Sequence, residues 1–185
     1  MKELHEAARA GDVARIEALV AADPSLAIFG AAILGDTAKL EALLSANKSL
    51  VSAVSPDGWT PLHLAAFYGK LDAARLLLNK GAEAKARSTN AMNNMAIHAA
   101  SAAGHVPIVK LLLEFGTPAN AQQAGGWTSL HAAAQNGYLE MAQLLLESGA
   151  NVSVRADNQQ RPIDLAMLKG RQDMVLFLEA NGASL

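Results

Sequence analysis

Cysteine is absent from the 185 residues, which rules out disulfides, thiol nucleophiles and cysteine-ligated zinc. Aromatic residues make up only 4% and charged residues 17%. The net charge of −2 leaves no clustered basic face of the kind nucleic acid requires, so no nucleic-acid partner is expected. No stretch approaches the roughly 18 apolar residues that a membrane-spanning helix needs. The amino-terminal MKELHEAARAGD is charged and amphipathic where a secretory leader would be apolar. Together these absences predict a soluble, intracellular, cytoplasmic protein with no membrane contact.

What is plentiful is Ala and Leu, within a hydrophobic content of 51%. Ala carries the smallest helix penalty and lets backbones approach closely, so the composition predicts tightly packed helices. The glycines then fall into a ladder. Gly69, Gly104, Gly137 and Gly170 are spaced 35, 33 and 33 residues apart, and Gly81, Gly116, Gly149 and Gly182 repeat the same spacings. Between the rungs stand LDAARLLLNKG, VPIVKLLLEFG, LEMAQLLLESG and QDMVLFLEANG. Ahead of them stand TPLHLAAFYG, MAIHAASAAG, TSLHAAAQNG and RPIDLAMLKG. Two further rungs, Glu6–Leu19 and Gly30–Leu43, lie 24 residues apart.

Each unit reads as a helix pair. Thr60-Pro61 opens a helix, since proline is tolerated where its missing N–H is not needed. The glycines fall where a left-handed residue closes each helix. Leu71, Ala74 and Leu78 share one face at helical spacing. One pair cannot bury both of its faces, and stacking supplies the missing surface.

TPLHLAA at Thr60–Ala66 and TSLHAAA at Thr128–Ala134, each joined to a following Leu-Leu-Leu at this period, resemble the ankyrin repeat over essentially the whole chain. The resemblance implies an all-α solenoid of helix–turn–helix units with outward β-hairpin fingers. A single array over 1–185 is expected, with units at about 1–24, 25–48, 56–88, 89–122, 123–155 and 156–185. Only VAADPSLAIF links the first two units, leaving no room for a finger between them. Fingers are expected near Asn47–Trp59, Ala82–Asn94, Thr117–Trp127 and Ala150–Gln160.

The same register assigns the histidines. His5, His63, His98 and His131 share one repeat position, and His105 holds the other common histidine position, after the glycine. In the family the first of these bonds the threonine hydroxyl (here Thr60 and Thr128) and backbone groups, so all five are expected to be structural. Residues one repeat apart are also too distant to share a zinc ion, whose imidazole ligands sit about 2.0–2.1 Å away. Met95-Ala96 replaces Thr-Pro, which costs His98 its hydroxyl partner, and STNAMNNM suggests a looser, longer finger. In the last unit Asp164 replaces the histidine, as suits a repeat facing water.

No phosphate-cradling loop and no free nucleophile–base pair is present, and Glu3/Glu6 and Asp157/Asp164 read as exposed helix charges. A non-enzymatic protein without cofactor or metal is expected. Trp59 and Trp127 follow finger-tip glycines, while Phe67 and Tyr68 end a first helix. In ankyrin arrays such positions line the concave face, and Met92, Asn94, Gln135 and Asn136 are their counterparts in neighbouring units. Aromatics there suit a binding hot spot, although a tryptophan after that glycine can equally pack over its own finger. The reading is a monomeric module that binds a partner protein on its concave face. An accessory or capping subunit of a larger complex is the alternative. A ligand-binding or catalytic groove would further require a deep pocket with shifted titratable groups.

Overall fold

The computed structural model describes residues 1–184. Twelve α-helices occur among them, joined two by two through short turns. The pairs are α1 (Lys2–Ala10) with α2 (Val13–Ala22), α3 (Ala27–Leu34) with α4 (Thr37–Ala46), and α5 (Pro61–Phe67) with α6 (Leu71–Asn79). They continue as α7 (Ala96–Ala103) with α8 (Val106–Glu114), α9 (Ser129–Asn136) with α10 (Leu139–Glu147), and α11 (Pro162–Leu168) with α12 (Gln172–Ala180). First helices pack in a row, α3 on α5 on α7 on α9 on α11, and second helices form a parallel row from α4 to α12.

Each link of the stack comes from side chains at one repeat position. Leu77, Leu112, Leu145 and Leu178 are all 0% exposed, and so are Ala65, Ala100, Ala133 and Ala166. The leucines fill the space between pairs, each contributing about 1.5–3 kcal/mol of burial, while the alanines let neighbouring first helices approach. The turns have the left-handed backbone expected of them, with φ of 70° at Gly69, 83° at Gly104, 77° at Gly137 and 64° at Gly170.

The amino-terminal end is built differently. Asp23 accepts hydrogen bonds from the backbone N–H and the hydroxyl of Ser25, holding a 3₁₀ turn at Pro24–Leu26 that runs directly into α3. Asn47 does the same with Ser49 at Lys48–Ser52. With no finger to separate them, α2 lies directly on α3. A β-carbon on Gly30 would stand 2.7 Å from Cγ2 of Val20. Ile28 to Ile33 are buried without a break, as in a helix that is apolar all round.

The fingers are tighter than full β-hairpins. Each is closed across its base by a backbone bond, Ser55 N–H to Trp59 O, Ser88 N–H to Asn94 O, Gln123 N–H to Trp127 O and Ala156 N–H to Gln160 O, with a second bond inside the turn. The one isolated bridge pairs Arg87 with Met95, and no strand is present among the described residues. A ladder needs successive bonds, and a single bridge does not make one. Neighbouring fingers are instead tied sideways, by Thr89 N–H to Gly58 O, Ala124 N–H to Met92 O and Asp157 N–H to Gly125 O. The STNAMNNM finger is held rather than loose. Asn90 donates from Nδ2 to Asp57 O, and Arg87 donates to the carbonyls of Asn93 and Gln122.

Candidate partner-binding groove

The histidines at the helix starts connect the fingers to the stack. In His63, Nδ1 lies 2.8 Å from the Thr60 hydroxyl and Nε2–H donates to Asn94 O at 3.0 Å. In His131, Nδ1 accepts from the Thr128 backbone and hydroxyl, and Nε2–H donates to Gln160 O. His98 has indeed lost the hydroxyl. Its Nδ1 accepts from the backbone N–H of Met95 at 3.1 Å instead, and Nε2–H donates to Ala121 O. Burial pushes all three imidazoles below their ordinary pKa, against backbone hydrogen bonds that pull upward. His105 sits after its glycine and donates to Phe67 O at 3.1 Å. Asp164 accepts from the Arg161 backbone N–H and pairs with its guanidinium at 2.6 Å, so a carboxylate replaces the histidine as the helix lock. The hydrogen bond from Arg161 holds Asp164 below the usual carboxylate range.

His5 departs from the expectation that it would serve as its three counterparts do. No finger follows its unit, so no finger carbonyl stands where the others find one. Its ring turns sideways. Nε2 lies 2.6 Å from Oδ2 of Asp57, and Nδ1 lies 2.7 Å from the Tyr68 hydroxyl, with the two rings stacked 5.9 Å apart. Ser55 donates its hydroxyl to the other oxygen of Asp57. Burial raises the Asp57 pKa, but the hydrogen bonds from Ser55 and His5 outweigh it and the net shift is downward. Burial and the Asp57 charge push the Tyr68 phenol up against the opposing charge of Arg9.

Between the finger tips and the first helices lies a groove of about 690 Å³. Trp59, Phe67, Met92, Asn94, Trp127, Gln135 and Asn136 all line it, and Tyr68 does not. Trp59 meets Phe67 edge-on at 5.3 Å, and Trp127 meets His131 edge-on at 5.1 Å. Both indoles and the Phe67 ring are partly exposed, so each packs over its own finger and also faces the groove. Met92 is 48% exposed and Gln135 is exposed, whereas Asn94 is 1% exposed and lies in the wall. Tyr68 stands behind Phe67 and is taken up by the bond to His5.

Helix α1 closes the amino-terminal end of the groove, where His5 and Arg9 join its lining together with Asp57. The repeat pattern marks neither Arg9 nor Asp57, and it marks His5 only as a helix-start histidine, not as part of the groove. The available signal was the missing finger, which leaves α1 free to reach the next finger along. Both ring nitrogens of His5, His63, His98 and His131 have hydrogen-bond partners within the chain. Among the described residues no cluster of three or more His, Asp or Glu side chains could hold a metal ion, and no helix is long and apolar enough to cross a membrane.

A stack of helix pairs with tied fingers and a lined concave groove defines a repeat module of the kind that presents a binding surface. The family described as "Ankyrin repeats (3 copies)" matches residues 4–88 and 97–185, and "Ankyrin repeats (many copies)" matches residues 65–113. The chain belongs to the ankyrin repeat family, whose members are generally protein–protein interaction modules. No curated protein matches the chain.

Proposed function

We propose that this chain is a non-enzymatic module that binds another protein in the concave groove formed by the finger tips and first helices. The observation that carries this reading is the grouping of Trp59, Phe67 and Trp127, partly exposed, along one groove of about 690 Å³. Aromatic side chains in a desolvating cleft are the usual anchors of protein interfaces. The rings are already braced by His131 and by one another. Little side-chain freedom is therefore left to lose on binding.

A photocrosslinking amino acid at Met92, on the groove, is compared with one at Arg75, on the outer surface of α6. A single protein adduct formed from Met92 and not from Arg75, and weakened roughly tenfold or more by Trp59→Ala with the fold intact, supports the reading. Adducts formed equally from both positions overturn it.

A further inference from the structure

Trp59, Asn94 and Trp127 occupy one repeat position. Each follows the left-handed residue of its finger: Gly58 (φ 84°), Asn93 (φ 44°) and Gly126 (φ 73°). An asparagine therefore stands between two indoles, a smaller side chain at the position where a third ring would have stood. Beside that position α7 lines the groove with the small side chains of Ala99 and Ala102, together with His98. The Asn94 Oδ1 is buried without a hydrogen-bond partner, the only side-chain atom in that condition among the described residues. A buried acceptor left unpaired is costly, and a donor arriving with a ligand would recover that cost.

The charges around Asn94 decide which donor. Both oxygens of Asp57 are engaged, by Ser55 and by His5, so a cation entering the groove finds no free carboxylate there. Arg9, exposed at the closed end, disfavours a cation further. Burial holds His98 and His131 toward the neutral form. What fits is a flat, neutral ring with an N–H or O–H at its rim.

Resting on the concave-face reading above, we propose that the groove contains a subsite between Trp59 and Trp127. It takes a tyrosine or tryptophan side chain of the partner, whose hydroxyl or indole N–H donates to Asn94 Oδ1. Since Asn94 is 1% exposed, the donor reaches it only as the groove wall gives. The flexible thioether of Met92, 48% exposed on the same finger, is the soft part of that wall.

The chain's two tryptophans give two indole N–H signals in a ¹⁵N-labelled sample, one on each side of Asn94. The probes are N-acetyl-tyrosinamide, N-acetyl-phenylalaninamide and N-acetyl-O-methyl-tyrosinamide, the last two lacking the donor. The tyrosine probe should shift both indole signals saturably and bind about tenfold more tightly than either of the others. Asn94→Leu should erase that preference. If this variant does not fold, the three probes on the unaltered chain decide alone. Equal binding of all three probes, or shifts that do not saturate, overturns the subsite. Neither result touches the reading of the face as a whole, which the crosslinking comparison decides separately.

Discussion

The imidazole of His105 lies over Gly69, so close that a β-carbon on that glycine would stand 2.6 Å from its Cε1. The relationship recurs along the stack. Lys70 covers Gly35, Tyr138 covers Gly104 and Arg171 covers Gly137, each the residue after the next unit's glycine. These glycines are therefore required twice, for a positive φ and for the space that the next unit occupies.

Gly170, φ 64°, has nothing within 4 Å of a β-carbon position. Gly170→Ala should cost only the left-handed backbone penalty, about 1 kcal/mol. Gly69→Ala should cost that and the displacement of His105, together about 2–3 kcal/mol. Urea unfolding followed by tryptophan fluorescence measures both. Equal losses would mean that the covering ring moves aside freely.

A second prediction concerns acid. His63, His98 and His131 are held below the ordinary imidazole value of 6.5 by burial. As pH falls through that value the unfolded chain takes up protons that the folded chain refuses, so stability declines with falling pH. Asp57 and Asp164, lowered from 3.8, and Glu41, lowered from 4.5, add their losses only at lower pH. The melting temperature should therefore drop between about pH 6.5 and pH 5, before any carboxylate protonates appreciably. His98→Gln should flatten that drop. A melting temperature constant over the interval would mean that the rings are protonated in place at no cost.

The repeat register was legible because it is written in glycine, whose left-handed backbone no other residue adopts as cheaply. The same signal fails where another residue takes the place. Asn93 and Gln159 hold φ of 44° and 67° at the positions of Gly58 and Gly126, and the sequence offers no ladder there. In both fingers an arginine reaches the carbonyl of the strained residue, Arg87 to Asn93 and Arg155 to Gln159. The groove residues on repeat positions were legible for the same reason. The meeting of His5, Arg9 and Asp57 was not, because it depends on how α1 lies once the first finger is missing, and no periodicity encodes that.

Those arginines give a third prediction. Gln159→Gly should stabilise the chain by up to about 1 kcal/mol, relieving the left-handed penalty against a partial loss of backbone restriction. Arg155→Ala should destabilise the unaltered finger more than the Gln159→Gly finger. The pair of comparisons forms a double-mutant cycle, measured by denaturation. A cycle that closes to zero would show that the arginine does not brace the strained turn.

The last prediction tests the His5 clasp. Helix α1 packs on α2 and α3, and its bonds to Asp57 and Tyr68 are what carry it to the fingers and α5. In a stack each unit is stabilised by its neighbours, so an end unit opens before the interior. His5→Ala removes both bonds, each worth about 0.5–1.5 kcal/mol or somewhat more at the charged carboxylate. Amide exchange in α1 should then quicken by roughly tenfold or more, since about 1.4 kcal/mol is a factor of ten. Exchange in α9 and α10, far along the stack, should stay unchanged. Asp57→Asn keeps an acceptor for Nε2–H and should quicken α1 less than His5→Ala does. If α1 exchanges at the same rate in all three chains, its packing on α2 and α3 alone holds it. The closed end of the groove would then owe nothing to the histidine.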